Sequence, residues 1–352
     1  MSALTIVSSK ELSPTAWDRY VDAHPRATGY HVAAWRAPVE RAFGHRWVSL
    51  VATEGGVIRG LLPLFQVRRG LLASQLITGP FGYYNGAIGD TAEIEGALYR
   101  HARELAHRLD ASFLMIKTTH RHPALQGEEW MVQDHFSYSW LDLPRTADEL
   151  WGSVRSEIRN RVRRAEKAGL VVRRGRAYLD GFYRVYCERM HELGSPAQPR
   201  RFFEEFFTSF GEHSELYTVW DGDHVIGGAT YFSFHETGYA PWLGCLHSYF
   251  NRGIYQLLYW RILETIIGRM KVFDFGRSTL TADATSSTLT AKQRWGTQSA
   301  PIYHVYHIPS GKVSELPVDD WRATMFTETW KRLPPWVTEY LGRLFYRYFV
   351  AR

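Results

Sequence analysis

The sequence predicts an α/β (α+β) protein built from two similar halves, each a mixed, mostly antiparallel sheet flanked by helices, with an additional C-terminal helix. A chain of 352 residues suits two domains of roughly 150 residues each. The order helix, hairpin, strand, helix, strand occurs twice, although no sequence repeat of fixed period accompanies it. Leu143-Pro144-Arg145 separates a strand from a helix between these two runs. We therefore predict domains at 1–145 and 146–308 and a helical tail at 309–352.

The first half begins with a strand and a helix, and a hairpin and an aromatic loop follow. Ser13 before Pro14 is typical of a helix start, because serine caps the helix and proline suits its first position. The turn at 54–56 separates two apolar runs and predicts an antiparallel hairpin. A loop rich in aromatic residues and glycine spans 79–86. The predicted elements are a strand at 4–7, helices from 14 and at 30–43, a hairpin at 48–65, a strand at 76–78, a helix at 91–109 and strands at 113–117 and 135–143.

The second half repeats this plan. Gly169 predicts the end of a helix, since glycine readily adopts the left-handed conformation found at such ends. The turn Asp221-Gly222-Asp223 predicts a hairpin that matches the one at 48–65. The predicted elements are helices at 147–169, 179–193 and 202–211, a hairpin at 216–234, a strand at 238–246, a helix at 255–270 and a short strand at 272–275.

The tail is predicted to contain an amphipathic helix after Leu333-Pro334-Pro335. Apolar residues recur there at helical spacing, with arginines beside them. Two interpretations stay open: the helix packs on the body of the protein, or it lies at an anionic membrane surface. The apolar residues are Trp336, Val337, Tyr340, Leu341, Leu344, Phe345 and Tyr348.

Charge and cysteine content restrict the partners and the compartment. A net charge of +6 and a pI of about 9.2 favour anionic partners, among them RNA, phosphorylated small molecules and anionic lipids. Two cysteines, Cys187 and Cys245, provide no disulfide framework and indicate a reducing compartment. The first residues lack the pattern of a signal peptide. The sequence contains no apolar run of about 18 residues that would predict a membrane span. We expect a cytoplasmic protein, peripheral at the inner membrane only if the tail helix binds lipid.

The succession of hairpin, strand, helix and strand resembles the core of the GNAT acyltransferase fold. In that fold a Gln/Arg-x-x-Gly-x-Gly/Ala loop at the start of the long helix holds the acyl-CoA pyrophosphate on its backbone N–H groups. The corresponding stretch here keeps Gly253, but begins with Phe250 and ends with Tyr255. The ring of Tyr255 stands where close backbone approach needs no side chain. This departure argues against a simple acetyl-CoA enzyme, although a strand edge could still hold pantetheine.

Three motifs and a closing strand at 300–306 resemble the C-terminal signature of FemAB-like proteins. The motifs are YQLLYW at 255–260, VFDFGRS at 272–278 and KQRWG at 292–296. The segment at 61–86 resembles the same group, in particular its members associated with exosortase (PEP-CTERM) and exopolysaccharide loci.

The likeness covers most of 45–306, and two departures from the family pattern stand out. Ala291 takes the place of the phenylalanine that usually precedes the lysine. The link at 280–290 is rich in threonine and serine, where the family usually has glycine. These departures leave the predicted fold and class in place and bear on the identity of the substrate.

The resemblance implies tandem GNAT-like domains that transfer an acyl or aminoacyl group onto an amine. In well-known members an aminoacyl-tRNA donates its amino acid to a peptidoglycan precursor. We expect the same class of reaction here, with no permanently bound cofactor and with an amine of an envelope precursor or peptide-like metabolite as acceptor. An acyltransferase that uses acyl-CoA or an acyl-carrier protein is the first alternative. A non-catalytic envelope-assembly factor with the same fold is the second.

Lys292 and Asp274 are the candidate catalytic residues. The family lysine that matches Lys292 is thought to face the reacting carbonyl, and pairing with a nearby carboxylate is its structural alternative. Asp274 ends a strand, where clefts of open sheets lie, and could orient the amine or accept its proton. A turn-forming role, capping Gly276 or pairing with Arg277, is the alternative for Asp274. Arg277 and Ser278 are expected to bind a phosphate or carboxylate side by side, and Tyr84 and Tyr255 are further candidates for substrate binding.

A basic helix opens the second half, and FemAB proteins resemble the chain here too. Nine basic residues against two acids lie between 155 and 176. Arg155, Arg159 and Arg163 recur every four residues and form one line of positive charge. This line predicts either contacts of Arg159 and Arg163 with tRNA phosphates or with a nucleotide-linked substrate, or else a solvated helix face. No metal site is expected, because no third ligand accompanies the histidine pairs His120/His122 and His304/His307.

Overall fold

The computed structural model describes residues 3–9, 12–69, 72–281, 284–285, 287–311, 321–334, 337–338 and 341–342. The amphipathic tail helix predicted around 336–348, with its two open interpretations, therefore lies mostly outside the described residues. The helices are α1 (Pro14–Ala23), α2 (Arg36–Phe43), α3 (Ala92–Arg108), α4 (Ala147–Ser153), α5 (Ser156–Lys167), α6 (Leu179–Glu192), α7 (Arg200–Phe210), α8 (Ile254–Ile266), α9 (Ser287–Gln293) and α10 (Trp321–Arg332).

The strands follow the predicted order of hairpins in both halves. They are β1 (Leu4–Ser8), β2 (Arg46–Trp47), β3 (Leu50–Glu54), β4 (Val57–Leu62), β5 (Phe65–Arg69), β6 (Leu72–Ile77), β7 (Ile88–Gly89), β8 (Ala111–Thr118), β9 (Met131–Asp142), β10 (Val171–Arg174), β11 (Ser214–Asp221), β12 (His224–Phe234), β13 (Thr237–Tyr239), β14 (Leu243–Cys245), β15 (Val272–Thr281), β16 (Ala284–Thr285) and β17 (Gln298–His307).

One large sheet runs through both halves of the described chain. Its strand order is β10-β11-β12-β13-β15-β9-β17-β8-β6-β5-β2, with β14 beside β12 and β16 beside β15. A second, four-stranded sheet has the order β1-β3-β4-β7. Among the described strand pairs, β6–β8 and β13–β15 are parallel and the others antiparallel. The prediction of mixed, mostly antiparallel sheets flanked by helices is therefore confirmed.

The last strand of the sheet, β17, lies between two strands of the first half. It pairs with β8 on one side and with β9 on the other. β9 in turn pairs with β15, which carries the VFDFGRS motif. The centre of the sheet therefore joins strands that are far apart in sequence.

Two predicted helices differ from the structure for local reasons. The helix predicted at 147–169 is two helices, because the backbone at Val154 is extended (φ −69°, ψ 148°) and its side chain is buried. The helix predicted at 30–43 begins with a 3-10 turn at Ala33–Trp35 and becomes α-helical at Arg36. The residues before it are held by side chains, since the Trp17 indole donates to His31 O at 2.7 Å and Ala33 N–H donates to Asp18 at 2.7 Å.

Many of the aromatic side chains join the two halves. Trp35 of the first half lies 5.0 Å from Phe210 and 5.6 Å from Phe232, ring centroid to centroid. Tyr30 lies 5.3 Å from Tyr239 in the same way. Rings of this size bury much apolar area and prefer such edge-on contacts. They hold the 79–86 loop of the first half against β15 of the second half, where the candidate site lies.

Candidate active site

The site forms where two parallel strands separate. β13 and β15 pair only over Thr237–Tyr239 and Val272–Asp274, and beyond that point β15 follows β9. The register of β15 against β9 shifts between Asp274 and Gly276, which is a β-bulge. Gly276 has φ +76°, and a Cβ there would lie 2.9 Å from Cε2 of Tyr83. The bulge therefore requires glycine, and it leaves the Asp274 carboxyl at the point of separation.

Asp274 is buried and accepts hydrogen bonds from both halves of the chain. The Tyr84 hydroxyl donates to Oδ2, and the Gly276 N–H donates to Oδ1 at 2.5 Å. Burial raises the pKa of Asp274 to about 6, while Tyr84, Gly276 and Lys292 oppose the shift. Each carboxylate oxygen can accept a further hydrogen bond. At neutral pH most of the Asp274 carboxyl is ionised, so it can accept a proton.

Lys292, on α9, lies behind the bulge and contacts backbone oxygens. Its Nζ donates to Gly276 O and to Arg277 O, both at 2.8 Å. Burial lowers the pKa of Lys292 to about 8, and the charge of Asp274 opposes this shift. The hydrogen bonds of Lys292 therefore go to carbonyls, whereas the sequence left open a pairing with a carboxylate.

Arg277 and Ser278 do not form the shared anion site expected from the sequence. Consecutive residues of a strand point to opposite faces of the sheet, and both residues lie in β15 after the bulge. The Arg277 guanidinium lies 4.2 Å from the ring centroid of Phe136 and 5.8 Å from that of Tyr83. On the other face, Ser278 pairs in register with Ser137. Both serine hydroxyls are buried, and neither has a hydrogen-bond partner among the described residues.

A cleft of about 350 Å³ opens onto Asp274. Four aromatic rings line it, and neighbouring ring centroids are 4.6 Å apart for Tyr84 and Tyr138 and 5.0 Å apart for Tyr138 and Trp140. The fourth ring belongs to Tyr239. The cleft shares lining residues with an adjoining cavity of about 720 Å³. That larger cavity is lined by polar groups that include Arg26, Asp90, Glu95, His120 and His122.

Lys117 anchors the loop that carries Tyr83 and Tyr84, and sequence reasoning missed it. Its Nζ donates to Gly79 O at 2.9 Å, to Gly82 O at 2.7 Å and to Pro80 O at 3.4 Å. Burial and the nearby charge of Arg277 lower the pKa of Lys117 to about 7, while three carbonyl acceptors favour its charged form. A single lysine after the apolar run 113–116 was the available signal.

Tyr255, a predicted substrate-binding residue, does not line the cleft at Asp274. Its ring centroid is 5.0 Å from that of Phe250, and its hydroxyl interacts with Arg189 and Cys245. At the start of α8, Gly253 has φ +83°, and a Cβ there would lie 2.3 Å from Arg161 O. The backbone of α5 therefore covers the helix end that holds pyrophosphate in the usual GNAT arrangement.

Arg159 and Arg163 have contacts within the fold. The Arg159 guanidinium donates to Trp151 O at 3.2 Å, to Gly152 O at 3.3 Å and to Val154 O. It therefore caps the C-terminal end of α4, where carbonyl groups lack helical partners. The Arg163 guanidinium lies 5.5 Å from the Trp151 ring centroid and stays largely exposed. Of this line of charge, Arg155 and Arg163 are the exposed members.

No described helix is both long and apolar enough to cross a membrane. No cluster of three or more histidine, cysteine, aspartate or glutamate side chains among the described residues could hold a metal ion.

The comparisons with known proteins agree with this architecture. Residues 152–283 match the family model of an acetyltransferase (GNAT) domain. FemX is similar in structure, with a TM-score of 0.68 and 14% identity over 85% of this chain and 97% of that chain. No curated protein sequence matches the chain.

Two further solved structures are similar. The C-terminal domain of a protein described as a lysylphosphatidylglycerol synthetase, from Agrobacterium fabrum, has a TM-score of 0.57 and 11% identity over 90% of this chain and 96% of that chain. A tandem GNAT protein from the clavulanic acid biosynthesis pathway has a TM-score of 0.54 and 16% identity over 86% of this chain and 98% of that chain. The narrower likeness to exosortase-associated members stays a prediction. The chain thus has the fold of FemAB-like tandem GNAT proteins, as the sequence resemblance implied, and the match of 152–283 to a GNAT domain model supports the predicted acyltransferase class.

Proposed function

We propose that this protein transfers an acyl or aminoacyl group onto an amine that binds in the cleft beside Asp274. One observation carries this proposal: an ionisable, buried carboxyl stands at the separation of β13 and β15 and lines an open cleft. A carboxylate in this position can take a proton from an amine that attacks a carbonyl.

The proposed reaction balances without a cofactor. The ammonium gives one proton to Asp274, and the free amine attacks the carbonyl carbon of the ester or thioester. The new C–N bond forms as the C–O or C–S bond breaks, and the second amine proton goes to the departing oxygen or sulfur. Asp274 then releases its proton to water. Lys292 holds positive charge behind the bulge and stabilises the ionised form of Asp274.

An aminoacyl ester is the donor we favour over acyl-CoA. The usual pyrophosphate position at the start of α8 is covered by the backbone of α5 and flanked by Tyr255. One of the similar structures is described as part of a lysylphosphatidylglycerol synthetase, a name that implies the transfer of an amino acid. An acyl-CoA or acyl-carrier donor is the second candidate, because the matching family model is that of an acetyltransferase domain. Use of aminoacyl-tRNA would place the reaction in the cytoplasm.

Label transfer tests the donor and the class of reaction together. The protein would be incubated with tri-alanine as a probe acceptor and either labelled aminoacyl-tRNAs, labelled acetyl-CoA or no donor, and amide products followed by mass spectrometry. We expect amide formation from aminoacyl-tRNA. Amide formation from acetyl-CoA alone would establish the second candidate, and no product from either donor, with tri-alanine or with hexylamine as acceptor, would favour a non-catalytic assembly factor.

Lys292→Met should lower the rate of that transfer about tenfold, since one hydrogen bond to a charged group contributes about 1.5–3 kcal/mol. The Lys292 Nζ donates to two carbonyls of the bulge, so its removal disturbs the position of Asp274 and also removes the positive charge near it. Lys331→Met is the matched control, because Lys331 is exposed and pairs with Glu328 at 2.9 Å. An unchanged rate in Lys292→Met would exclude a role for Lys292 in the reaction.

The exposed arginines Arg155, which precedes α5, and Arg163, on α5, are proposed to contact tRNA phosphates. The double variant Arg155→Glu/Arg163→Glu should weaken binding of unacylated tRNA and reduce the slope of log Kd against log salt by about 2, one per lost phosphate contact. Arg19→Glu/Arg108→Glu is the control, because both residues are exposed on the other half. Equal slopes for the two double variants would mean that this face of α5 is solvated and does not contact tRNA. Arg159 is unsuitable for this test, since it caps α4.

A further inference from the structure

The cleft at Asp274 combines one carboxylate with a nearly continuous wall of aromatic rings. Tyr84, Tyr138, Trp140 and Tyr239 all line the cleft together with Asp274. Tyr84 also holds the carboxylate by a hydrogen bond. Aromatic faces are electron-rich, and rings arranged around a small volume bind ammonium groups by cation–π attraction. We call these four rings, together with Asp274, the aromatic cage.

Of the ionisable groups that line the cleft, Asp274 carries a charge that no other lining residue neutralises, although Lys292 behind the bulge favours its ionised form. Arg26 forms an ion pair with the buried Glu95, so this pair carries no net charge. Burial lowers the pKa of His31 to about 4 and lowers the pKa of His120, so both rings are neutral at physiological pH. Lys292 directs its Nζ to the carbonyls of Gly276 and Arg277 and is not a lining residue of the cleft. A bound cation therefore meets a carboxylate and rings, whereas a bound anion meets repulsion from both.

We propose that the aromatic cage is the acceptor subsite and that it selects a primary amine in its protonated form, carried at the end of a longer polar molecule. This inference rests on the proposed function for the word acceptor, but the recognition of an ammonium group follows from the cleft itself. The ammonium donates to the free acceptor positions of the two Asp274 oxygens while the rings surround its remaining face.

The adjoining cavity indicates what the rest of the acceptor looks like. It continues from the cage through Arg26, Thr118 and His120, which line both spaces. Its lining combines apolar surface from Ala23, Pro25 and Tyr99 with hydrogen-bonding side chains, which suits a body with both polar and apolar groups, as in a peptide or an amino sugar. The cage therefore binds the tip of the acceptor, and the larger cavity accommodates its body.

Binding of three probes of equal length tests the cage without any donor. Hexylamine, hexan-1-ol and hexanoate would be titrated at pH 7.5, and each Kd measured from ligand proton signals by saturation-transfer NMR. We expect hexylamine to bind at least about tenfold more tightly than hexan-1-ol, in keeping with a desolvated cation–π contact plus a charged hydrogen bond. Hexanoate should bind most weakly. Equal affinities for the amine and the alcohol, or a preference for hexanoate, would overturn the proposal.

Variants locate the binding in the cage. Asp274→Asn should reduce the preference for hexylamine over hexan-1-ol to about threefold or less, because it removes the charge and keeps the shape. Trp140→Leu should weaken hexylamine binding about threefold to tenfold and leave hexan-1-ol nearly unchanged. Trp220→Leu is the matched control, since Trp220 lies on β11 beneath Arg173, 4.3 Å from its guanidinium. Should Asp274→Asn fail to fold by circular dichroism, Tyr138→Leu provides the second test in the cage.

Failure of this inference is distinguishable from failure of the proposed function. A protein that prefers hexylamine but forms no amide with any donor keeps the ammonium site and loses the transferase proposal. A protein that forms amides but shows no preference for the amine keeps the transferase proposal and loses the aromatic cage as the subsite. Unchanged hexylamine affinity in both Trp140→Leu and Tyr138→Leu would likewise remove the cage.

Discussion

Asp274→Asn should lower the rate of amide formation by about 10²–10⁴, the range that a positioned proton acceptor contributes. Asparagine keeps the size of the side chain and can still accept from the Gly276 N–H, but it cannot take a proton from the amine. The measurement is the initial rate of label transfer at saturating donor. Asp22→Asn, at an exposed position on α1, is the control and should leave the rate unchanged.

The pH profile of the same assay separates a proton acceptor from a structural role. Since the pKa of Asp274 is raised to about 6, kcat/KM of the natural protein should fall as pH drops below about 6, where the carboxyl becomes protonated. The Asp274→Asn variant should lose this acid limb and keep its low residual rate throughout. A variant with a reduced rate but the same acid limb would show that another group titrates, and Asp274 would then be assigned the turn-forming role at Gly276.

Lys117→Met should lower the free energy of unfolding by about 2–4 kcal/mol at pH 9, because the buried carbonyls of the 79–82 turn lose their donor. Lys117 is 5% exposed, so water cannot replace it without opening the turn. The measurement is urea denaturation followed by circular dichroism. Lys271→Met is the control, since Lys271 is exposed and pairs with Glu236 at 2.7 Å, and exposed pairs contribute about 1 kcal/mol or less.

The sign of the pH dependence follows from the lowered pKa of Lys117. Between about pH 7 and 10.5 the unfolded chain binds a proton at this lysine that the folded chain does not hold. The stability of the natural protein therefore gains from this group as pH rises through that window, by at most about 1.4 kcal/mol per pH unit. Lys117→Met should lack the gain, so the difference between the two proteins should widen from pH 7 to pH 10. A constant difference would mean that Lys117 stays charged in the fold.

Local sequence patterns predicted the elements, and they could not predict how distant elements meet. The turns at 54–56 and 221–223 each sit in a hairpin, as expected from their residues. By contrast, the hydrogen bond between Tyr84 and Asp274 joins residues 190 positions apart. No periodicity or spacing encodes such a contact, because it results from the packing of the 79–86 loop against the bulge in β15.

The predicted site residues show the same division. Motif likeness marked both Asp274 and Lys292, and the structure places both at the bulge. Arg159 shows where sequence patterns fail. Its spacing predicted a position on a basic helix face, but the chain breaks at Val154, and the Arg159 guanidinium caps the end of α4. The separate environments of Arg277 and Ser278 follow from strand alternation after a bulge, whose position the sequence pattern did not reveal.

The place of β17 in the sheet has a consequence for biosynthesis. This strand joins β8 and β9, so neither of these two strands has its full set of neighbours before residue 307 has been made. During translation the first half must wait with β8 open on one edge and β9 open on both, because β15 and β17 are made later, and open strand edges are sites of wrong pairing and aggregation. The chain therefore matures as one unit after most of it has left the ribosome, and β9, which carries Tyr138 and Trp140 of the cleft, gains its last neighbour only with that strand.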